Sequence, residues 1–341
     1  MQPSTLRIAV ISAAHVHATS YLSLLAARSD IDVVLCDPDA VTTDAEGPRG
    51  ADLAAQFGVE HVDEQALWAW RPDAVVICSE NVHHRRWAVA AAEHGAHSLC
   101  EKPLATTPAD AAAMTAAADA AAVRLMTAYP MRFAPEFAEL LTAVRSGALG
   151  EIRSIRGTNN GKIPAGRAWF SQKDLAGGGA LTDHVVHCAD LIDALLAQMP
   201  DRVHAVSNAF ISRPEGGVDV ETAGLVTLTY PSGTIATIDC SWSRPQSSAR
   251  WGDLTLTVEG TLGTVTIAPF ADGVSGDLAD SGAVWLGYGA DTDALMLEEF
   301  ISSIRQEREP WPDGQAGART VRIVDAAYRS VASGSAVAPI A

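Results

Sequence analysis

The chain has 341 residues, of which 48% are hydrophobic, and a formal net charge of −17. This length is enough for two domains with separate cores, and the composition is typical of a globular protein. The charge argues against a nucleic-acid partner, because phosphate binding needs Lys and Arg. No apolar run reaches the ~18–20 residues of a membrane span, and no signal-peptide pattern precedes the first predicted strand. The five cysteines lie far apart without a C-x-x-C pair, so we expect buried, reduced thiols and a cytoplasmic protein.

Short apolar segments alternate with helical patterns through the first third of the chain. The predicted strands read LRIAVIS, DVVLCD, AVVICS, HSLCEK and VRLMTAYP. This alternation predicts an α/β Rossmann domain, a doubly wound parallel sheet with right-handed crossovers. We place this domain at residues 1–126.

The pattern changes after about residue 150. Segments such as AGLVTLTYPSGTIATIDCSWS and DLTLTVEGTLGTVTIAPF carry Val, Ile and Thr in period two, with turn residues between them. They predict an α+β domain at 127–341 with a large, mainly antiparallel sheet. One helix at 179–198 interrupts the strands and two helices close the chain; the last, about 316–333, is a candidate to pack back on the first domain. Residues 216–221 and 271–283 are predicted loops.

The segment SAAHVH, residues 12–17, joins the first strand to the first helix. In a dinucleotide-binding unit this turn carries glycines, which let the backbone approach a pyrophosphate at the helix N-terminus. Here Ser12, Ala14 and His17 stand at the three glycine positions. Small residues at the first two positions still permit close approach, and the side chains of Ser12, His15 and His17 can donate hydrogen bonds to phosphate.

Asp37 ends the second predicted strand, 20 residues after His17. An acidic side chain at this distance accepts the ribose hydroxyls of a dinucleotide. The surrounding tripeptide DPD offers no Arg for a 2′-phosphate, so NAD is preferred over NADP. The alternative is an ordinary strand end with an Asp in a surface turn.

Two motifs in the first domain resemble the glucose–fructose oxidoreductase and inositol dehydrogenase family, Gfo/Idh/MocA. Residues 79–84 read SENVHH, similar to the family's Thr-Pro-Asn-x-x-His with Glu80 in place of Pro, and residues 101–103 read Glu-Lys-Pro. Segments 128–135 and 147–152 match the family's crossing into its second domain. Residues 169–191 match its Gly-Gly-Gly…Asp-x-Gly helix, with Val185 in place of the last Gly. The missing glycines and Val185 narrow the space near the cofactor.

The resemblance implies an NAD-dependent oxidoreductase that acts on a sugar, cyclitol or glycoside. The candidate cofactor-binding residues are Ser12, Ala13, Ala14, His15, His17, Asp37, Ser79, Asn81, His84, Glu101 and Lys102. Family segments that reach the crevice supply the candidate substrate-binding residues Tyr129, Arg132, Asn160, Trp169 and His184, with Lys162 and Lys173 in the same segments. Trp169 is equally suited to stacking on a ligand and to core packing, and for Arg132 a structural role is slightly favoured.

Lys102, Asp183 and His187 suit alcohol oxidation. Asp183 and His187 are i and i+4 on one predicted helix and share a face. A carboxylate in contact with an imidazole fixes its tautomer, and the imidazole acts as general base. Lys102 lies at the carboxyl end of a strand, which faces the ligand crevice of a parallel sheet. The resemblance assigns the same roles: Lys102 and His187 catalytic, Asp183 supporting.

Several alternatives stay open at this stage. No metal site is predicted, because the histidine spacing matches no H-x-x-x-H or H-E-x-x-H pair, although His184 and His187 are i and i+3. The chain is a dehydrogenase that turns over free NAD, a redox-cycling glycoside-cleaving or lyase enzyme that retains it, or a non-catalytic ligand-sensing relative. The resemblance also implies a homodimer or homotetramer formed through the C-terminal sheet.

Overall fold

The computed structural model describes residues 5–39, 47–164, 166–211, 218–271, 273–278, 280 and 282–340. The first domain has a six-stranded parallel sheet in the order β3-β2-β1-β4-β5-β6, the strand order of a Rossmann fold. The strands are β1 (Leu6–Ile11), β2 (Ile31–Cys36), β3 (Glu60–His61), β4 (Ala74–Ile77), β5 (His97–Cys100) and β6 (Leu125–Thr127). The helices are α1 (His17–Ala26), α2 (Gly50–Phe57), α3 (Glu64–Trp70), α4 (His84–Glu93) and α5 (Pro108–Ala121). The prediction of a Rossmann domain is confirmed.

The second domain has a mixed six-stranded sheet in the order β12-β11-β7-β10-β9-β8. Only β7 and β10 pair in parallel, and the other neighbours are antiparallel, as predicted. The strands are β7 (Ile152–Lys162), β8 (Arg202–Asn208), β9 (Ala223–Thr229), β10 (Ile235–Arg244), β11 (Gly252–Gly260) and β12 (Thr264–Ile267). The helices are α6 (Pro135–Arg145), α7 (Lys173–Ala176) and α8 (Val186–Leu196). Helices α6 and α8 bury their apolar faces against the inner face of this sheet.

The helix predicted at 179–198 begins with a π-helical turn. Residues Leu181–Val185 form this turn, and α8 continues from it without a break. A π-helical turn places residues i and i+5 in register and is found frequently at functional sites. It therefore changes which side chains of this helix meet.

The prediction of a loop at 271–283 is wrong for residues 273–278 and 282–283, while residues 272, 279 and 281 lie outside the described residues. Two strands, β13 (Gly273–Leu278) and β14 (Gly282–Gly287), form an antiparallel hairpin there. The Gly, Asp and Ser content indicates a loop, but the backbone groups of the two strands hydrogen-bond each other. Of the other predicted loop, residues 216 and 217 lie outside the described residues, and 218–221 contain no helix or strand.

The two closing helices connect the domains. Helix α9 (Thr292–Arg305) buries Met296 and Phe300 in the core of the Rossmann domain. Helix α10 (Gly314–Ser333) contributes Val321 to a Rossmann core cluster and Ile323 to the core of the second domain. All five cysteines are buried and unpaired, as expected. Among the described residues, no helix has the length and hydrophobicity that a membrane span requires.

Candidate active site

A cavity of about 540 Å³ lies where the carboxyl ends of the Rossmann strands meet the second domain. Open parallel sheets bind ligands at this edge. The first domain lines the cavity with residues of the turn after β1 and with Lys102. The second domain lines it through the π-helical turn, α8 and the sheet. Six predicted site residues line it: His15, His17, Lys102, Asp183, His184 and His187.

Lys102 and Asp183 form a buried ion pair between the two domains. Lys102 Nζ donates to Asp183 Oδ1 at 2.5 Å and to the Asp183 carbonyl oxygen at 3.3 Å. Both side chains are less than a tenth exposed, at 7% and 6%. Trp242 Nε1 donates to the other carboxylate oxygen at 3.1 Å. The ion pair holds the lysine amino group in the cavity wall.

Charge keeps the Asp183 carboxylate ionised despite its burial. Burial acts to raise its pKa, but the charges of Lys102 and His184 outweigh that effect and hold the pKa well below its usual range. His184 Nε2 lies 3.1 Å from Asp183 Oδ2. The Nδ1 atom of the same ring donates to the Asn159 carbonyl oxygen at 2.7 Å. His184 is therefore fixed between the π-helical turn and β7.

His187 lines the cavity without the partner that the sequence predicts. Both Asp183 oxygens are occupied by Lys102 and Trp242, and the His187 ring makes no hydrogen bond within the described part of the chain. The π-helical turn disturbs the i,i+4 relation on which the prediction depends, so the predicted Asp183–His187 contact is not formed. Burial, and then the charge of Lys102, lower the pKa of His187 well below its usual value. The imidazole is therefore neutral near pH 7.

The opening turn keeps the backbone shape of a glycine turn without a glycine. Ser12 has a φ of 65°, in the left-handed region that glycine adopts most easily. A glycine-rich turn leaves backbone N–H groups for phosphate. Here those groups are already bonded within the protein at Ser12, Ala13, Ala14, His15 and His17. A dinucleotide held here therefore meets mainly side-chain donors.

His15 and His17 surround the buried carboxylate of Glu101. His17 Nδ1 lies 2.9 Å from Glu101 Oε1, and His15 Nε2 lies 3.8 Å from Oε2. Tyr21 donates its hydroxyl proton to Oε1 at 2.6 Å, and the Lys102 backbone N–H donates to Oε2 at 3.1 Å. Although burial opposes it, the neighbouring His15 and His17 hold the pKa of Glu101 well below its usual range. The motif Glu-Lys-Pro is thus tied to the opening turn through Glu101.

The His15 ring has one nitrogen, Nε2, without a hydrogen-bond partner among the described residues. Burial lowers the pKa of His15 to about 3, so the ring is neutral. Its Nδ1 accepts the His17 backbone N–H at 3.2 Å, which puts the ring proton on Nε2. The ligand atoms of His15, His17 and Glu101 lie within 4.8 Å of one another, but a protonated ring nitrogen does not ligate a metal. His15 Nε2 is buried without a hydrogen-bond partner among the described residues and is available to a ligand acceptor.

Asp37 has more partners than the sequence predicts. Its carboxylate accepts hydrogen bonds from Ala13 N at 3.0 Å, Gly50 N at 2.9 Å, and Arg49 Nε and Nη2 at 2.7 and 2.6 Å. A ribose hydroxyl reaches Asp37 only by displacing one of these donors. The tripeptide DPD gives no sign of Arg49, because the fold and not the local sequence brings that residue to the end of β2.

A segment of the second domain covers the opening turn. Trp169 Nε1 donates to the Ala14 carbonyl oxygen at 3.0 Å, and the Trp169 ring stacks on Phe170 at 3.9 Å between centroids. At the other end of the segment, Asn81 Nδ2 donates to the Ala176 carbonyl oxygen at 2.8 Å. Of the two alternatives for Trp169, packing is the one the structure shows.

Comparison with known proteins agrees with this architecture. The family model described as an oxidoreductase family with an NAD-binding Rossmann fold, Gfo/Idh/MocA, matches residues 6–129, and the C-terminal domain model of the same family matches residues 137–266. The chain belongs to the Gfo/Idh/MocA family of oxidoreductases.

Similar members of the Gfo/Idh/MocA family are sugar and cyclitol dehydrogenases. D-Apiose dehydrogenase of Paraburkholderia graminis is 28% identical, over 92% of this chain and 85% of that protein. Myo-inositol 2-dehydrogenase of Thermotoga maritima is 27% identical, over 85% of this chain and 87% of that protein. The crystal structure of GenD2 from gentamicin A biosynthesis, in complex with NAD, is 25% identical with a TM-score of 0.88, covering 100% of this chain and 98% of that one.

Four of the five predicted substrate-binding residues do not line the cavity: Trp169, which packs over the opening turn, and Tyr129, Arg132 and Asn160. The Tyr129 hydroxyl lies 2.6 Å from Thr320 Oγ1 and is buried. Arg132 Nε donates to Asp190 Oδ2 at 2.8 Å in a buried ion pair, which is the structural role. Asn160 Oδ1 accepts the Ser241 hydroxyl.

Several predicted cofactor-binding residues are buried in packing contacts. The His84 ring nitrogens lie 2.9 Å from the Pro103 carbonyl oxygen and 3.2 Å from that of Ser79, so His84 connects the two family motifs. Ser79 donates its hydroxyl to the Glu80 carbonyl oxygen. These hydrogen bonds hold together the loops that follow β4 and β5.

The structure also adds residues that the sequence argument missed. Asn159 lines the cavity in place of Asn160, because successive side chains of β7 point to opposite faces of the sheet. The burial of β7 alternates from residue to residue, so Asn159 and Asn160 face opposite sides of the sheet. Other cavity residues that the sequence did not indicate include Arg250, Trp251, Asp253, Trp285 and Asp293. Trp285 lies on the hairpin, part of which was predicted as a loop.

Proposed function

We propose that this oxidoreductase is an NAD-dependent dehydrogenase that oxidises a hydroxyl group of a sugar, cyclitol or glycoside to a carbonyl. The observation that carries the proposal is the Lys102–Asp183 ion pair beside a neutral His187 in one cavity at the ligand-binding edge of the Rossmann sheet. The presence of Lys102, Asp183 and His187 in one cavity argues against the alternative that the chain is a non-catalytic, ligand-sensing relative.

The three side chains divide the proton chemistry. His187 takes the hydroxyl proton as general base. Lys102 donates a hydrogen bond to the same substrate oxygen, and Asp183 positions the Lys102 amino group. A bound nicotinamide would supply the hydride acceptor for the carbinol carbon, while the hydroxyl proton passes to His187, so that two electrons and two protons in all leave the substrate. Asp183 acts through Lys102, where the sequence argument had it acting through His187.

The residues present fit a nicotinamide dinucleotide. The strand–turn–helix unit keeps the left-handed conformation at Ser12, and His15 Nε2 is a buried donor without a partner among the described residues. We assign cofactor contact to the turn at residues 12–17 and to the loops that carry Asn81 and Glu101.

NAD is proposed over NADP. The Asp37 carboxylate repels a 2′-phosphate, and two N–H groups of Arg49 are committed to that carboxylate. Calorimetric titration of the apoprotein with NAD and NADP measures this preference. Asp37→Ala should shift the affinity ratio toward NADP, and an unchanged ratio would move ribose recognition elsewhere.

A substrate panel tests the function. We expect NADH to form with at least one class among hexoses, pentoses, inositols and methyl glycosides. Failure of both NAD and NADP to bind at millimolar concentration would refute the cofactor assignment. Binding of NAD without NADH formation from any of these classes would refute the substrate class.

One observation favours a second candidate, in which NAD is retained through each catalytic cycle. The segment from Trp169 to Ala176 is bonded to the opening turn at one end and to Asn81 at the other, across the ends of β1 and β4. A retained cofactor suits glycoside cleavage or elimination, where the hydride is taken and then returned. Mass spectrometry of the purified protein decides this point, because a retained cofactor gives about one nucleotide per chain and a released one gives none.

A further inference from the structure

Part of the cavity wall has no role in the proton chemistry. Residues 250–253, at and just before the start of β11, line the same cavity as Lys102, and Trp285 of β14 faces it from the hairpin. The Trp251 ring lies 5.7 Å from the ring of His184. This wall therefore begins beside the residue that contacts Asp183 and extends toward the hairpin.

Two polar atoms of this wall lack partners. Arg250 Nε and Asp253 Oδ1 are buried without a hydrogen-bond partner among the described residues. The remaining polar groups hold both side chains in place, since Arg250 Nη2 donates to the Phe270 carbonyl oxygen at 2.6 Å and Asp253 is paired with Arg244. An unmet donor and an unmet acceptor in one cavity wall are costly unless a ligand or water meets them.

Aromatic rings flank these polar atoms. Trp251 is 53% exposed. The Arg250 guanidinium lies over the Trp285 ring, 5.3 Å from its centroid. Ligand sites are commonly lined by aromatic side chains with a few placed polar groups that fix orientation. Rings beside a donor and an acceptor match the apolar faces and hydroxyl edges of a pyranose.

A glycine of the second sheet leaves room for the Trp251 side chain. Gly161 of β7 pairs with Gly252 of β11. A Cβ atom on Gly161 would lie 2.9 Å from the Trp251 ring and 3.0 Å from His184. Only glycine lets Trp251 lie this close to His184, so the wall is coupled to the catalytic end.

The wall of residues 250–253 suits a neutral ligand. Its unmet acceptor, Asp253 Oδ1, belongs to a carboxylate that repels an anionic group placed against it. The phosphates of the dinucleotide are assigned to the other end of the cavity, beside His15 and His17. The acidic residues lining the cavity are Asp183, Asp253, Asp291 and Asp293.

We propose that residues 250–253 and Trp285 form a subsite for a second sugar ring, so that the preferred substrate is a neutral glycoside of two rings. Arg250 Nε donates to one hydroxyl of the second ring, Asp253 Oδ1 accepts from another, and the two tryptophans contact its apolar faces. The identity of the oxidised ring rests on the proposed function, but the binding of the second ring does not.

The test compares a methyl glucoside, a glucose disaccharide and the corresponding glucuronide, each in both anomeric linkages. The wild type should prefer the disaccharide in kcat/KM by at least about tenfold. Trp285→Ala should raise the KM for the disaccharide about 10–100-fold while the methyl glucoside changes little. Trp285→Phe should restore part of the preference. Tyr288→Ala is the matched control, because Tyr288 directly follows the same strand, is 68% exposed and does not line the cavity.

A binding measurement separates this proposal from the proposed function. Calorimetry with Lys102→Ala protein should give tighter binding of the disaccharide than of the methyl glucoside, and Trp285→Ala should abolish the difference. That result without any NADH formation by the wild type would support the subsite and refute the dehydrogenase. Equal affinity for the two sugars, an equal loss for both in Trp285→Ala, or preference for the glucuronide would overturn the subsite.

Discussion

Ser12 holds a backbone conformation that costs an L-residue free energy. Its φ of 65° lies in the left-handed region, and its hydroxyl accepts the Ala14 N–H at 3.2 Å. The turn thus keeps the path of a glycine turn, while the side chain bonds a backbone group that a glycine would leave open. This explains how the chain can lack the glycines of a dinucleotide motif and keep its fold.

A pair of substitutions isolates the cost at Ser12. Ser12→Gly and Ser12→Ala both remove the hydrogen bond to Ala14 N, but only glycine relieves the left-handed φ. We expect the glycine variant to be more stable than the alanine variant by about 1 kcal/mol, measured as the free energy of unfolding in urea. Equal stability of the two would mean that this backbone conformation costs nothing here.

Asp183 also stabilises the folded protein, because its carboxylate is the charge partner of Lys102. Asp183→Asn leaves a buried ammonium group without a carboxylate, which should lower the free energy of unfolding by about 3–5 kcal/mol. The double variant Lys102→Met/Asp183→Asn should lose less than the sum of the single losses, because the unpaired charge is gone. Urea denaturation of the four proteins measures the coupling, and strictly additive losses would contradict a direct ion pair.

Among the elements around the site, the segment containing Trp169 covers the opening turn and is bonded to it through Ala14. Trp169→Phe keeps an aromatic ring but removes the N–H that bonds Ala14 O. Losing a hydrogen bond worth about 1 kcal/mol should speed NADH release roughly fivefold, followed by stopped-flow fluorescence. Trp68→Phe is the control, since Trp68 stacks on His94 on the α3 side of the molecule. An unchanged release rate in Trp169→Phe would remove this segment from cofactor exchange.

The sequence predicts the elements better than the contacts between them. Buried parallel strands are apolar throughout, so the β/α alternation is readable, and so is the position of Lys102 at a strand end. The pairing of His17 with Glu101 joins residues 84 positions apart, and no local spacing predicts it. Arg49 reaches Asp37 by the same kind of long-range packing. The π-helical turn changes the spacing of side chains on its helix, so Asp183 does not meet His187. In β7 the residue that faces the cavity is Asn159, one position before the predicted Asn160.

At the scale of the whole molecule, the outer face of the second sheet carries exposed apolar side chains. Val206, Leu225 and Ile235 are 54%, 46% and 49% exposed on β8, β9 and β10, and Val206 pairs directly with Leu225. The homodimer or homotetramer through this sheet stays a prediction. We expect sedimentation velocity to show an oligomer that Leu225→Asp dissociates, with Leu262→Asp, at a 74% exposed residue between β11 and β12, as control. A monomeric wild type would contradict it.

The domains meet at the proposed catalytic residues, and α9 and α10 hold the domains together. Helix α10 shares its apolar face between the two cores, and the Lys102–Asp183 ion pair crosses the same boundary. Because the relative position of the domains fixes the distance between Lys102 and His187, the chemistry depends on the whole molecule.

In the proposed mechanism, Lys102 and His187 act on one substrate oxygen as NAD is reduced. The most direct measurement is the initial rate of NADH formation with the best substrate of the panel, for the wild type, Lys102→Ala, His187→Ala and the control Lys173→Ala, whose lysine does not line the cavity. We expect a loss of about 10²–10⁴-fold in kcat for Lys102→Ala and for His187→Ala, unchanged NAD affinity by calorimetry, and wild-type rates for Lys173→Ala. Near-wild-type turnover in Lys102→Ala or His187→Ala would refute the proposed mechanism.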